Sequence, residues 1–219
     1  MTISFGPGSE ERPVRLDVDG VVLEGNMGLP PGAEGVVLFA HGSGSSRHSS
    51  RNRYVAQVLR NAGLGTLLFD LLTAREEQED RFTGHLRFDI GLLARRLAGA
   101  IDWLRAQEET RALKIGLFGA STGGGAALVA AAMRPEAVTA VVSRGGRPDL
   151  AGEALGRVRV PTLLIVGGAD EPVIAMNETA RDQMTRARTE LAIVPGATHL
   201  FEEPGTLEEH LKGARAPTA

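Results

Sequence analysis

The sequence predicts an α/β fold, one domain over residues 1–219, built on a predominantly parallel central sheet with helices on both faces. Three observations carry this. Short apolar runs alternate with longer stretches of helical period along nearly the whole chain, the pattern that gives strand–helix–strand units. One run, VVLFA at 36–40, is apolar at every position, as a strand buried on both sides of a parallel sheet must be. The 28 glycines, well above the usual share of about 7%, gather just after the apolar runs, where such sheets bind their ligands.

The elements follow in order. Residues 14–18 and 21–27 read as two strands around Asp19-Gly20, a tight hairpin signal. The strand at 36–40 comes next. Residues 53–62 read as a helix with Tyr54, Val55, Val58 and Leu59 on one side, stopped by Gly63. A buried strand spans 66–69. The stretch 71–89, LLTAREEQEDRFTGHLRFD, is charged and has no clean period. It reads as a mobile loop or short helix whose acids form a solvated face. Residues 90–105 form a long amphipathic helix, with Leu93, Leu97, Ile101 and Leu104 on one stripe. Then come a strand at 114–118, an Ala-rich helix at 122–133, strands at 138–142 and 161–166, a helix at 172–186, a strand at 191–194 and a helix at 206–212. Residues 143–160 are too few for a large cap domain.

Composition removes several function classes. Lys plus Arg number 24 against 27 Asp plus Glu, a net charge of −3, which argues against a nucleic-acid partner held by a basic field. The aromatics are seven Phe, one Trp and one Tyr, too few for base-stacking platforms. There is no cysteine, so disulfides, thiolate metal sites and a cysteine nucleophile are excluded. No apolar run approaches the ~18 residues of a membrane span. Glu10 and Glu11 stand where a secretory signal would need an apolar core, and a cytoplasmic protein is expected. CxxC-type spacing is absent and no G-x-G-x-x-G follows the first parallel strand, so neither a metal nor a nicotinamide or flavin cofactor is expected.

The chemistry-bearing residues lie just past the strand ends. After 114–118 comes Gly119-Ala120-Ser121-Thr122-Gly123, a G-x-S-x-G turn between strand and helix. Such a turn holds a serine hydroxyl exposed at a sharp apex. A serine needs an adjacent base to be nucleophilic at neutral pH. His199, in Pro195-Gly196-Ala197-Thr198-His199 after the last strand, is the best placed of the five histidines. The base needs an orienting carboxylate. Asp170, in Gly167-Gly168-Ala169-Asp170, stands at the preceding strand end, with Glu171 as its alternative and N-capping of the next helix as its plainer role. A tetrahedral intermediate also needs backbone donors. The candidates are the N–H of Thr122, at a helix start, and the N–H of Ser43 in His41-Gly42-Ser43-Gly44, with Gly44 second. Gly42 and Gly44 allow close approach of a substrate, and His41 is expected to brace this loop. Arg47 and Arg144 border the same edge. They read either as a clamp for an anionic substrate or as ion-paired loop residues.

At this point the residues resemble the α/β-hydrolase family, over nearly the whole chain from Val14 onward. HGSG at 41–44, GASTG at 119–123, GGAD at 167–170 and GATH at 196–199 occur in family order. Within the family the compact length is similar to the dienelactone-hydrolase-like group. The resemblance implies Ser121 as nucleophile, His199 as base, Asp170 as acid and main-chain donors at Ser43 and Thr122. Dienelactone hydrolases proper use a cysteine and carry a glutamate after the strand equivalent to 36–40; this chain has neither. A serine carboxylesterase acting on small, soluble esters is therefore expected, with no cofactor and no membrane or nucleic-acid partner. A thioesterase, acyltransferase or lactone hydrolase with the same triad, or a non-catalytic ligand-binding member of the fold, are the alternatives.

Overall fold

The computed structural model describes residues 11–203 together with Gly205 and Thr206. Eight strands form one sheet in the order β1-β2-β4-β3-β5-β6-β7-β8. They are β1 Arg12–Val18, β2 Val21–Gly28, β3 Gly35–Ala40, β4 Gly65–Phe69, β5 Lys114–Ala120, β6 Val138–Arg144, β7 Thr162–Gly167 and β8 Thr189–Val194. The β1–β2 and β2–β4 pairs are antiparallel and every other pair is parallel. The predicted hairpin closes with Val18 opposite Val21. Asp19 and Gly20 both take positive φ, 50° and 76°, the two left-handed residues that match the twist of paired strands.

Among the described residues the helices that flank the sheet are α1 Ser50–Asn61, α2 Ala74–Thr83, α3 Ile90–Ala106, α4 Thr122–Met133 and α5 Glu171–Gln183. Val55 and Ala56 of α1 pack with Phe39, Leu68 and Phe118 on one face. Leu97, Ile101 and Leu104 of α3 and Ala126 and Ala130 of α4 pack with Leu38, Leu67 and Leu117 on the other. Burial of both faces explains why β4 is buried at all five positions. α1 begins earlier than its apolar period suggests because Ser49 caps it, accepting from the Asn52 N–H at 3.3 Å. β5 and β6 each run two residues further than expected, so that Gly119 and Ala120 pair with Ser143 and Arg144. The expected helix at 206–212 lies, beyond Thr206, outside the described residues.

The charged stretch 71–89 holds the short helix of the two expected alternatives, α2, and a short 3-10 turn, Leu86–Phe88; it differs from expectation in that two of its acids, Glu76 and Asp80, are structural rather than a solvated face. Thr73 and Glu76 form a reciprocal capping box. The Glu76 carboxylate also grips the buried Arg96 of α3 through two bonds, at 2.6 and 2.5 Å, while Arg96 donates to the Leu71 carbonyl at 2.9 Å. Asp80, buried at the end of α2, accepts from the Leu86 and Arg87 amides and the Arg87 side chain. A period search misses this because the anchors are ion pairs rather than an apolar stripe.

The Arg96 hydrogen bond holds the Glu76 carboxyl at about 2, below its ordinary 4.5, against an opposing contribution from burial. The ionised form is thus favoured by folding. Its stabilisation is fully present above pH 4.5 and is lost as pH falls through about 2. Glu76→Gln, which leaves Arg96 buried without its anion, should cost about 3 kcal/mol at neutral pH. For a domain of this size that is a fall in Tm of about 6–12 °C. Melting curves of both proteins from pH 7 downward should show the gap closing only in strong acid; a gap that persists there contradicts the assignment.

Candidate active site

β3 lies between β4 and β5, so the chain leaves β3 on one side for β4 and returns on the other for β5. The loops after β3 and β5 therefore face each other across a switch point, the place where open α/β sheets bind ligands. The first carries His41-Gly42-Ser43-Gly44 and the second Ser121. Gly42 packs so closely on the Ser121 turn that a Cβ would sit 3.0 Å from Ser121 Cβ and 3.1 Å from the Ala120 carbonyl. Gly123 is tighter still, 2.1 Å from the Ala40 carbonyl. These approaches require glycine and let β3, β5 and α4 meet.

Ser121 has φ 51° and ψ −123°, a conformation that costs a side-chain-bearing residue about 1–3 kcal/mol. Hydrogen bonds hold it there: its N–H donates to the Arg144 carbonyl at 3.3 Å, and its carbonyl accepts from Gly124 and Arg147 amides at 2.9 and 3.0 Å. The hydroxyl lies 3.3 Å from His199 Nε2, and His199 Nδ1 lies 2.7 Å from Asp170 Oδ2. Asp170 stands at the N-cap of α5 but makes no side-chain cap bond; its carboxylate turns to the imidazole instead. Glu171 is exposed. The three residues expected to act together are thus adjacent and in the right order of contact.

The His199 loop is fastened from behind. Glu203 accepts from the Thr198 amide and hydroxyl at 3.1 and 2.6 Å. Those hydrogen bonds, first the one from the Thr198 side chain, lower the Glu203 pKa. Arg51 pairs with Glu202 at 2.8 Å. Gly145, at φ 50°, sits against His199, with a hypothetical Cβ 3.0 Å from the His199 carbonyl and 3.6 Å from Nδ1. Sequence reasoning missed Gly145. The signal was its position directly after a strand end, beside the arginines that drew attention instead.

His41 braces the first loop. Its Nε2 accepts from the Leu71 amide at 3.1 Å and its Nδ1 donates to the Gly42 carbonyl at 3.0 Å. Those partners fix the proton on Nδ1, because an amide can only donate and a carbonyl only accept. The two expected oxyanion donors differ. Ser43 N–H donates to Thr122 Oγ1 at 2.8 Å. The Thr122 N–H opens α4 and has no acceptor among the described residues.

The arginines are placed as structural residues. Arg47 is paired with Asp70 and, at 2.7 Å, with Glu24, and does not line the cleft. Arg144 is buried, its guanidinium 5.4 Å over the Phe118 ring and donating to Asn52 Oδ1 at 3.0 Å. Burial lowers its pKa to about 10, and the nearby Arg51 charge adds to the effect. Arg147 makes a two-bond pair with Asp149. Of the two readings of Arg47 and Arg144, the contacts fit paired structural residues and not an anion clamp.

Beside the Ser121 turn opens a cleft of about 560 Å³. Gly42, Ser43, Gly44 and Thr122 form one wall, and Glu77 and Arg81 of α2 are on the other. Ser121 itself is not in the lining; Thr122, the residue after it, is. The stretch 71–89 borders the site, as its place after a strand end suggests, and Thr73 three residues before Glu76 was a legible capping signal. The segment Pro148–Arg157 is a 3-10 stretch kinked at Gly152, and the described residues form no large cap domain over the site. Among the described residues no group of three acidic, His or Cys side chains is placed to hold a metal ion. None of their helices is long and apolar enough to cross a membrane.

The dienelactone hydrolase family model matches residues 23–216. This chain belongs to the dienelactone hydrolase family. Its fold is that of an α/β hydrolase. A dienelactone hydrolase from Anabaena variabilis is 63% identical and superposes with a TM-score of 0.92, over 94% of this chain and 95% of that one. An esterase from Pyrococcus furiosus, 17% identical, shares the fold with a TM-score of 0.77 over 98% of this chain and 93% of the other. A Mycobacterium tuberculosis protein named "Putative phosphoribosyl transferase" is 54% identical over 206 residues, which are 94% of this chain and 45% of that protein. The chain therefore spans about half the length of the curated relative.

Proposed function

We propose that this protein is a serine carboxylesterase for small, soluble esters, working through an acyl-enzyme. The observation that carries the reading is the contact chain from the Ser121 hydroxyl through both nitrogens of His199 to Asp170, at 3.3 and 2.7 Å. His199 Nε2 takes the hydroxyl proton as Ser121 Oγ attacks the ester carbonyl. Asp170 holds the Nδ1 proton and stabilises the imidazolium. The oxyanion develops against the start of α4, where the Thr122 amide and the partial positive end of the helix favour negative charge. His199 returns the proton to the leaving alcohol. A water activated by the same nitrogen then releases the acid and restores Ser121. No step calls for a cofactor.

The cleft supports short or polar substrates. Its walls carry serine hydroxyls, glycine backbone and the charged side chains of Glu77 and Arg81 beside Leu71, Leu72 and Leu93, a mixed lining that suits a compact ester with both polar and apolar parts. The relative named for phosphoribosyl transfer is about twice as long, and the Ser121–His199–Asp170 contacts in this segment support acyl transfer instead. Water as the acyl acceptor, in preference to another alcohol or thiol, belongs to the same proposal, as does a single domain without membrane or nucleic-acid partners.

A fluorophosphonate should label the protein once, with the added mass on the peptide containing Ser121, and should abolish p-nitrophenyl acetate hydrolysis in proportion to labelling. Absence of both label and turnover would overturn the esterase reading in favour of a binding role. Label at another serine would move the nucleophile.

A further inference from the structure

The contact between Ser43 and Thr122 changes how the oxyanion is held. Thr122 is buried at the first position of α4, directly after Ser121, and forms part of the cleft wall. Its hydroxyl oxygen accepts the Ser43 N–H at 2.8 Å. The oxygen therefore stands in front of the amide that the family pattern offers to the substrate.

A hydroxyl that accepts one hydrogen bond still has its own proton to donate. Among the described residues no acceptor takes the Thr122 Oγ1 proton. The Thr122 N–H is free as well. One residue beside the nucleophile thus presents two unspent donors, a main-chain N–H and a side-chain O–H. Donation by the Ser43 amide polarises the hydroxyl and makes it the stronger donor.

We propose that Thr122 supplies both donors to the oxyanion, through its N–H and its Oγ1–H, and that Ser43 acts on the oxyanion only by way of the Thr122 hydroxyl. The inference rests on the Ser121 acyl-transfer reading. It makes the Thr122 side chain a catalytic residue, and it distinguishes this site from one with two main-chain donors. Nothing is consumed in the step: the hydroxyl proton stays on Oγ1 and is shared with the developing charge.

The test is Thr122→Val, which keeps the shape and the amide but removes the hydroxyl, alongside Thr122→Ser, which keeps the hydroxyl. With p-nitrophenyl acetate, Thr122→Val should lower kcat about 10- to 100-fold with KM within about twofold. This is less than the roughly 10²–10³ of a lost donor with no substitute, because the freed Ser43 amide compensates in part. Thr122→Ser should stay within about threefold of wild type. Phenylboronic acid, whose adduct on Ser121 carries the tetrahedral negative charge, should bind more weakly to Thr122→Val by the same factor as the loss in kcat. If Thr122→Val melts early, Thr122→Ala provides the same comparison without a bulky replacement. Wild-type kcat in Thr122→Val, or a rise, overturns the proposal and makes Ser43 the direct donor with Thr122 a blocker. A matching loss in both Thr122→Val and Thr122→Ser also overturns it, because the side chain would then act through packing. An inactive, unlabelled wild type would instead sink the esterase reading itself.

Discussion

Ser121→Ala should lower kcat for p-nitrophenyl acetate by on the order of 10⁵-fold while the protein keeps its fold. The nucleophile and its base act as one unit, so removing the oxygen removes the covalent path and leaves only the oxyanion donors and binding. The variant is structurally mild. Alanine has the same backbone cost as serine at φ 51°, and the bonds that hold the turn run through the Ser121 amide and carbonyl. One side-chain contact is lost, the 3.3 Å bond to His199. The Tm should therefore move by less than about 2 °C. Turnover by wild type and variant is compared on identically prepared samples, with the melting curve as the fold control. A loss below about tenfold would mean that another group performs the attack.

The fold was legible because its strands announce themselves individually. VVLFA at 36–40 and TLLF at 66–69 are buried on both faces, and only strands of a covered sheet read that way. Asp19-Gly20 located the hairpin, because few other residue pairs accept two positive φ values in succession. The strand ends were less legible. The last two residues of β5 and β6, Gly119-Ala120 and Ser143-Arg144, do not look like strand by composition. They pair because the site loops leave the sheet in step with one another.

The site's contact chain was legible for the same topological reason. A parallel sheet collects its carboxyl ends along one edge, so serine, acid and histidine after three separate strands must come near each other. What stayed hidden were choices made by side chains at close range. Asp170 could serve as a helix cap or as a partner of His199, and only the coordinates of His199 decide between them. The acids at 71–89 look like a solvated face until Arg96, on the next helix, is seen to reach Glu76. The same holds for Arg144, which faces Phe118 and Asn52 rather than solvent or a ligand. No spacing rule foretells that Thr122 Oγ1 lies on the Ser43 amide, since the two residues belong to different loops.

Asp170→Asn should lower kcat by on the order of 10⁴-fold with little change in stability, and the argument turns on which nitrogen of His199 holds the proton. Asp170 Oδ2 is 2.7 Å from Nδ1 and, as a carboxylate, can only accept, so Nδ1 carries the hydrogen and Nε2 is free to take the Ser121 proton. An asparagine that presents its NH₂ group reverses this. It donates to Nδ1, drives the proton to Nε2, and leaves no base facing the hydroxyl. The anion that would stabilise the imidazolium is gone as well. Stability should change by less than about 0.5 kcal/mol, because Asp170 makes no side-chain cap bond that its replacement would break. The control is Glu171→Gln. Glu171 is the neighbouring carboxylate, exposed and on the first turn of α5, and its loss should leave kcat within about twofold. Steady-state kinetics and melting curves on both variants separate the outcomes. If Glu171→Gln abolishes turnover and Asp170→Asn does not, the acid of the site is Glu171, and Asp170 returns to the plainer role of ending the loop before α5.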